Sequence, residues 1–219
     1  MHALYAWVSG PLVWIAFLVF IGGTIYRLGR LLGLAHRKER FLFTYISLPH
    51  SLRSIAHWSL PFATTNMRLH PVMTIVTFLF HICLLVTPLF LSAHVIMWDE
   101  AWNFDWWTLP DGLADVMTLV VIGGAIFFLV RRLKLPEVRY VTSASDFVIL
   151  AITVMPFLSG FMAYHQWFGY RFWIILHIIS GAVMLMAIPF SRLFHMFMAP
   201  LTRAYMGSEF GKIRQAKDW

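Results

Sequence analysis

The sequence predicts an all-α integral membrane protein, a five-transmembrane-helix bundle with its N-terminus outside and its C-terminus cytoplasmic. Three observations predict it. Of 219 residues, 60% are hydrophobic and 12% charged, with a mean hydropathy of +0.73, which is more apolar than soluble domains are. Five apolar stretches are long enough to cross about 30 Å of hydrocarbon. Sixteen of the 17 Lys and Arg fall in segments that this topology places on one side, leaving Arg171 alone on the other; the positive-inside bias makes the basic side cytoplasmic. The net charge of +7 is therefore topological, and nucleic-acid binding is not expected. The single Cys83 excludes an intrachain disulfide and a cysteine-built iron–sulfur or zinc site, so a metal must rest mainly on histidine.

The chain reads as one membrane domain over residues 1–219. The first span covers about 5–26, and its start, MHALYAW, lacks the charged region and cleavage site of a signal peptide. Residues 27–70 interleave Arg27, Arg30, Arg37, Lys38, Arg40, Arg53 and Arg68 with apolar blocks, the pattern of an interfacial cytoplasmic loop whose cations face lipid headgroups or a partner. The second span, about 71–98, holds His81 and His94 with Pro88 between them. The segment WDEAWNFDWWTLPDG follows, acidic and rich in tryptophan, as in an interfacial belt on the side without cations. A third span, about 113–130, stops at RRLK; a fourth, about 143–164, carries Pro156 and Gly160 as expected kinks; the fifth, about 171–198, leads to a basic tail over 203–219.

His177 and His195 in the fifth span are 18 residues apart, five turns of an ideal helix, so they should share one face at depths about 27 Å apart. That is too far for one metal centre, and the expectation is two centres, each with a second ligand from another helix. Haem b with two axial imidazoles suits such a bundle. By depth, His81 pairs with His195 near the cytoplasmic side. His94 is placed to pair with His177 near the outer side, with His165, at the end of the fourth span, as its rival. An ideal helix turns His81 and His94 about 140° apart, and only a kink at Pro88 could change that phase. Arg192, Arg53, Arg68 and Arg131 are candidate partners for haem propionates inside, and Arg171 outside. Gly181, Gly123 and Gly124 are small enough for a macrocycle or a neighbouring helix to approach. His2, His36, His50, His57 and His70 read as surface or headgroup residues. Asp111, Asp115 and His165 converge by topology at the outer end, where Asp115 could accept protons from a quinol.

The block LHIISGAVMLMAIPFSRLFHMFMAPLTRAY resembles the last helix of the gamma subunit of respiratory nitrate reductase, a five-helix dihaem cytochrome b family. FLFHICLL is similar to that family's second-helix haem segment, and RRLKLPEVRYVTSASDFVILAI to its third connection and fourth helix. The resemblance runs nearly the whole chain and implies that His81 and His195 ligate an inner haem and His177 an outer one. The family's second histidine of helix 2 lies where this chain has Leu91, and the turn HQWFGY is shorter than the family's. With Leu91 in place, the resemblance admits two haems or a single inner one. The segment SIAHWSLPFATTNMRLHP resembles the cytochrome b subunits of sulfate-reducer transmembrane redox complexes. That branch implies a bacterial inner (cytoplasmic) membrane location, a cytoplasmic iron–sulfur partner similar to heterodisulfide reductase or ferredoxin, and a periplasmic multihaem cytochrome c as a further candidate partner. The expected role is an electron-transfer subunit of an anaerobic respiratory quinol/quinone oxidoreductase, exchanging electrons with menaquinone or an outer-side redox partner. The competing expectation is a haem-free anchor or proton-relaying subunit.

Overall fold

The computed structural model describes residues 2–218, and every regular element among them is helical. Five helices are long and apolar enough to cross a membrane: α1 (His2–Lys38), α5 (Pro71–Phe90), α7 (Asp111–Lys134), α9 (Ala144–Tyr164) and the segment Tyr170–Phe190, whose α-helical part is α10 (Tyr170–Ala187). The chain is a multi-pass membrane protein by this count. Shorter helices complete the order: α2 (Phe41–Tyr45), α3 (Leu48–Ser59), α4 (Thr65–Leu69), α6 (Ser92–Trp102), α8 (Pro136–Tyr140) and α11 (His195–Ser208).

Three boundaries differ from the sequence expectation, each for a local reason. Helix α1 does not stop near Tyr26 but runs to Lys38. Its second half, built on Leu28, Leu31, Leu32 and Leu34 with intervening arginines, contains good helix formers and no proline. His36, Arg37 and Lys38 occupy its last turn, where cations complement the helix dipole. The span expected over 71–98 is broken: α5 ends at Phe90, Leu91 is extended (φ −68°, ψ 129°), and α6 starts at Ser92. The span expected over 171–198 is interrupted between Ala187 and His195 by two short 3₁₀ turns, Ile188–Phe190 and Arg192–Phe194, with Ser191 extended between them. Pro189 has no N–H for the ladder, and Ser191 Oγ accepts the Leu193 N–H at 3.2 Å to start the next turn. His177 and His195 therefore do not lie on one continuous helix, and the argument that five whole turns put them on a shared face fails.

The described residues form two compact units. One comprises the residues up to Val13 together with Val76–Met184. Its core is Phe80 and Cys83 of α5, Val121 and Ala125 of α7, and Phe157 of α9. Gly124 makes this packing close, because a Cβ there would lie 2.8 Å from Phe80 Cδ2; in lipid, such small residues let packing stand in for the missing hydrophobic drive.

The other unit comprises Trp14–Ile75 and the residues from Leu185 onward. Here α3 packs on α11 along a seam of small residues. Ser51 Oγ donates to the Ala204 carbonyl at 2.9 Å and lies 2.9 Å from Ser208 Oγ. A Cβ on Gly207 would collide with Ser54 Cβ and lie 2.6 Å from the His50 carbonyl. Gly207→Ala should therefore destabilise this unit by about 1–3 kcal/mol, the usual range for overpacking, read as a lower midpoint in denaturant titration. His50, expected at the surface, is half-buried here beneath Gly207 and Gly211.

Beyond α11, Glu209 accepts from Arg214 in the turn Glu209–Ile213. The Tyr205 hydroxyl and the Arg214 guanidinium hold the Glu209 carboxyl below its usual range, while burial and then Glu209 itself raise the Tyr205 hydroxyl above its own. A carboxylate with a depressed folded pKa stabilises the fold above its unfolded pKa and loses that contribution as pH falls through the folded value. Amide protection at the end of α11 should thus drop on acidification below the ordinary carboxylate range, and Glu209→Gln should abolish that dependence.

Candidate functional site

His94 and His177 meet. Their ring centroids are 5.9 Å apart and their planes lie within 22°. The helix break at Leu91 makes this meeting consistent with the ladder geometry: once α5 ends, the 140° phase that separated His94 from His81 on an ideal helix no longer applies. It also frees a carbonyl. Pro88 lies in the last turn of α5, where carbonyls have no intrahelical donor, and its oxygen accepts the His94 Nδ1–H at 2.8 Å. His177 is anchored alike, its Nδ1–H donating to the Pro156 carbonyl of α9 at 2.8 Å. Gly160, one turn on from Pro156, seats the ring: a Cβ there would fall 2.9 Å from His177 Nδ1 and 3.0 Å from Cε1.

A carbonyl only accepts, so both imidazoles carry their proton on Nδ1 and keep the Nε2 lone pair. Fixing Nδ1–H on a carbonyl is how proteins orient histidine ligands. Two near-parallel imidazoles this close, each with its Nδ1–H already held by a carbonyl, could both offer Nε2 to one iron centre. Among the described residues no three His, Cys, Asp or Glu side chains converge to hold a metal. Two buried polar atoms nearby in the chain have no partner: Trp173 Nε1, one turn before His177, and Thr87 Oγ1, next to Pro88.

His81 and His195 belong to different units. In the first, His81 is half-buried on α5, its Nδ1–H donating to the Thr77 carbonyl at 2.7 Å and its ring set edge-on to Phe80. In the second, His195 donates from Nδ1 to the Arg192 carbonyl at 2.9 Å and lines a cavity of about 490 Å³ with Trp58, Met198 and Arg203. All four candidate ligands thus share one tautomer. Arg203, whose guanidinium stacks 4.3 Å over Trp58, was counted by the sequence reading only among the cytoplasmic cations, because its aromatic partner lies far away in the chain. Arg68 turns onto its own backbone, donating to the Ala63 and Thr64 carbonyls. Arg53 lies beneath Gly211, and Arg192 serves His195 through its carbonyl. Gly123 and Gly181 face open space, whereas Gly124 touches Phe80.

His165 is engaged with Asp115. Its Nε2 stands 3.1 Å from Asp115 Oδ2, within ion-pair distance, yet the ring is not aligned to hydrogen-bond and Nε2 is a buried atom without such a partner. Phe161, Tyr164 and Trp167 surround the ring at centroid distances of 4.4–5.4 Å. The Tyr164 hydroxyl meets the Asp111 carboxylate, so the first turns of α7 and the end of α9 share two acid–base contacts. Asp111 is also tied to the start of α6, where Ser92 Oγ donates to its Oδ1 at 3.4 Å two residues before His94, and the Leu109 N–H donates to the Phe90 carbonyl at 2.8 Å.

No family model matches the chain. A protein of Nitratidesulfovibrio vulgaris strain Hildenborough is 35% identical over 211 residues, spanning 94% of this chain and 93% of that one.

Proposed function

This chain belongs to the same family as the Nitratidesulfovibrio vulgaris protein, and we propose that it is a b-type cytochrome subunit of an anaerobic respiratory complex. It would carry electrons between the quinone pool, or an outer-side redox partner, and a cytoplasmic iron–sulfur subunit. The observation that carries this reading is the His94–His177 pair, two imidazoles with centroids 5.9 Å apart, both Nδ1–H groups on proline carbonyls and a glycine seat beneath one ring. Haem b bound there would supply a one-electron couple; His81 and His195 are the ligands proposed for a second, inner haem. The residues do the rest. Pro88 and Pro156 orient the imidazoles through their carbonyls, and Gly160 admits the His177 ring.

Proton handling fits the same end of the first unit. A hydroquinone must shed protons as it gives up electrons, and the Asp115–His165 contact offers a carboxylate and an imidazole for them. The proposed topology puts the N-terminus outside and the C-terminus in the cytoplasm of a bacterial inner membrane, on the asymmetry of Lys and Arg. The basic segments then face the iron–sulfur partner, for which a protein similar to heterodisulfide reductase subunits is proposed. The visible spectrum of the dithionite-reduced, purified chain tests the core of this reading. Sharp bands of a bis-histidine haem are expected; a featureless spectrum would return the chain to the haem-free anchor.

A further inference from the structure

Helix α3 is built inside out. Its inward face, which packs on α11, carries His50, Ser51, Ser54 and Trp58, with both serines buried. Its outward face carries Leu48, Leu52 and Ala56, all exposed, a stripe that recurs every fourth residue along one side of the helix. Leu48 is 68% exposed and Leu52 55%. A helix on the surface of a soluble unit does the opposite, burying its leucines and turning its serines to water. Between helices in a bilayer the inverted order is the expected one, because lipid accepts the leucines while small residues let two backbones close.

The polar atoms of the inward face find partners without water. Ser51 Oγ donates to the Ala204 carbonyl at 2.9 Å, Ser54 Oγ donates to the Asp218 carboxylate, and Trp58 Nε1 donates to the Asp218 carbonyl at 3.3 Å. The chain on either side continues the apolar face: Phe41, Phe43 and Ile46 before α3 and Leu60 after it are exposed as well. Residues 41–62 hold one charge, Arg53, and no carboxylate. Arg37, Lys38 and Arg40, with Glu39 among them, precede this stretch, and Arg68 follows it. At 12 residues α3 is too short to cross the hydrocarbon. An apolar face of this length between cationic flanks suits a helix lying in the plane of one leaflet, its cations among anionic headgroups.

We infer that α3 lies in the acyl boundary of an anionic phospholipid leaflet, with Leu48 and Leu52 seated in lipid and the serine face closed on α11. Phospholipid is favoured over a protein as the cover because cations at both ends of a nearly uncharged stretch match a headgroup layer. The inference stands apart from the cytochrome reading.

The test is a spin-label depth measurement on the full chain in vesicles of phosphatidylethanolamine and phosphatidylglycerol. Labels are placed at Leu48→Cys and Leu52→Cys, with Lys217→Cys in the exposed tail as the aqueous control. The one native cysteine, Cys83, is buried, so the unsubstituted chain serves as the labelling blank. Oxygen, which concentrates in lipid, and a nickel chelate, which stays in water, report on each label. Both leucine positions should read about 5–10 Å below the headgroups, with nickel collisions several-fold rarer than at the control. Replacing phosphatidylglycerol with phosphatidylcholine should raise those collisions several-fold. Leucine-position labels as open to nickel as the control would overturn the inference and leave the face to a protein partner. Labels immobilised and shielded from oxygen and nickel alike would overturn it in favour of a second copy of the chain. An unchanged depth without phosphatidylglycerol would overturn the assignment to anionic lipid.

Discussion

Gly160→Ala should strip the chain of the haem proposed at His94 and His177 while leaving the second proposed haem in place. The new Cβ would lie 2.9 Å from His177 Nδ1 and 3.0 Å from Cε1, closer than side-chain carbons pack. The ring has no cheap retreat, because moving away breaks its bond to the Pro156 carbonyl and costs about 1 kcal/mol on top of the overpacking. Loss of such an orienting bond typically lowers affinity for the metal by 10–100-fold. Haem content of the purified variant should therefore fall from about two per chain to about one. Gly123→Ala is the matched control, since a Cβ there meets open space, and it should keep both. Full haem content in Gly160→Ala would show that the His177 ring does not need the seat and would count against ligation from this position.

Asp115→Asn should slow haem reduction by a quinol about 100-fold while dithionite reduction keeps its wild-type rate. The factor is the low end of what a positioned general base contributes. The asparagine preserves shape but cannot take a proton, and it leaves His165 beside a neutral side chain where a carboxylate stood 3.1 Å away. His165→Gln should give a smaller loss, because Asp115 stays in place with Asp111 and Tyr164 one turn away. If both reductants slow equally in Asp115→Asn, the residue supports the fold of this end and takes no part in proton transfer. If neither slows, the protons leave by another route.

The five spans were legible because hydropathy integrates over about twenty residues and tolerates local error. Their ends and interruptions were not, since these turn on one or two backbone groups. Pro88 was visible as a kink, but the break fell three residues later, at Leu91, where a carbonyl could be handed to a histidine side chain. The same kind of event separated His177 from His195: Pro189 and Ser191 end one helix and begin another, so periodicity counted across the gap misled. The His94–His177 pairing was reached by matching depths, and the structure brings those two rings together through a phase change that counting residues could not supply. Gly160 was read as a kink point and acts as a seat for His177. Arg27 was read as one cation of an interfacial loop; its partners, the Pro189 and Ser191 carbonyls, lie 162 and 164 residues away, beyond any local signal.

The central claim is that histidines on separate helices hold haem iron in this chain, and pyridine haemochrome content per purified chain tests it most directly, with His94→Ala, His177→Ala and His165→Ala alongside. Two haems in the wild-type protein, falling to one in the His94 and His177 variants and unchanged in the His165 variant, is the predicted result. No haem in the wild-type chain, or a haem that survives the loss of both His94 and His177 but not of His165, would contradict it.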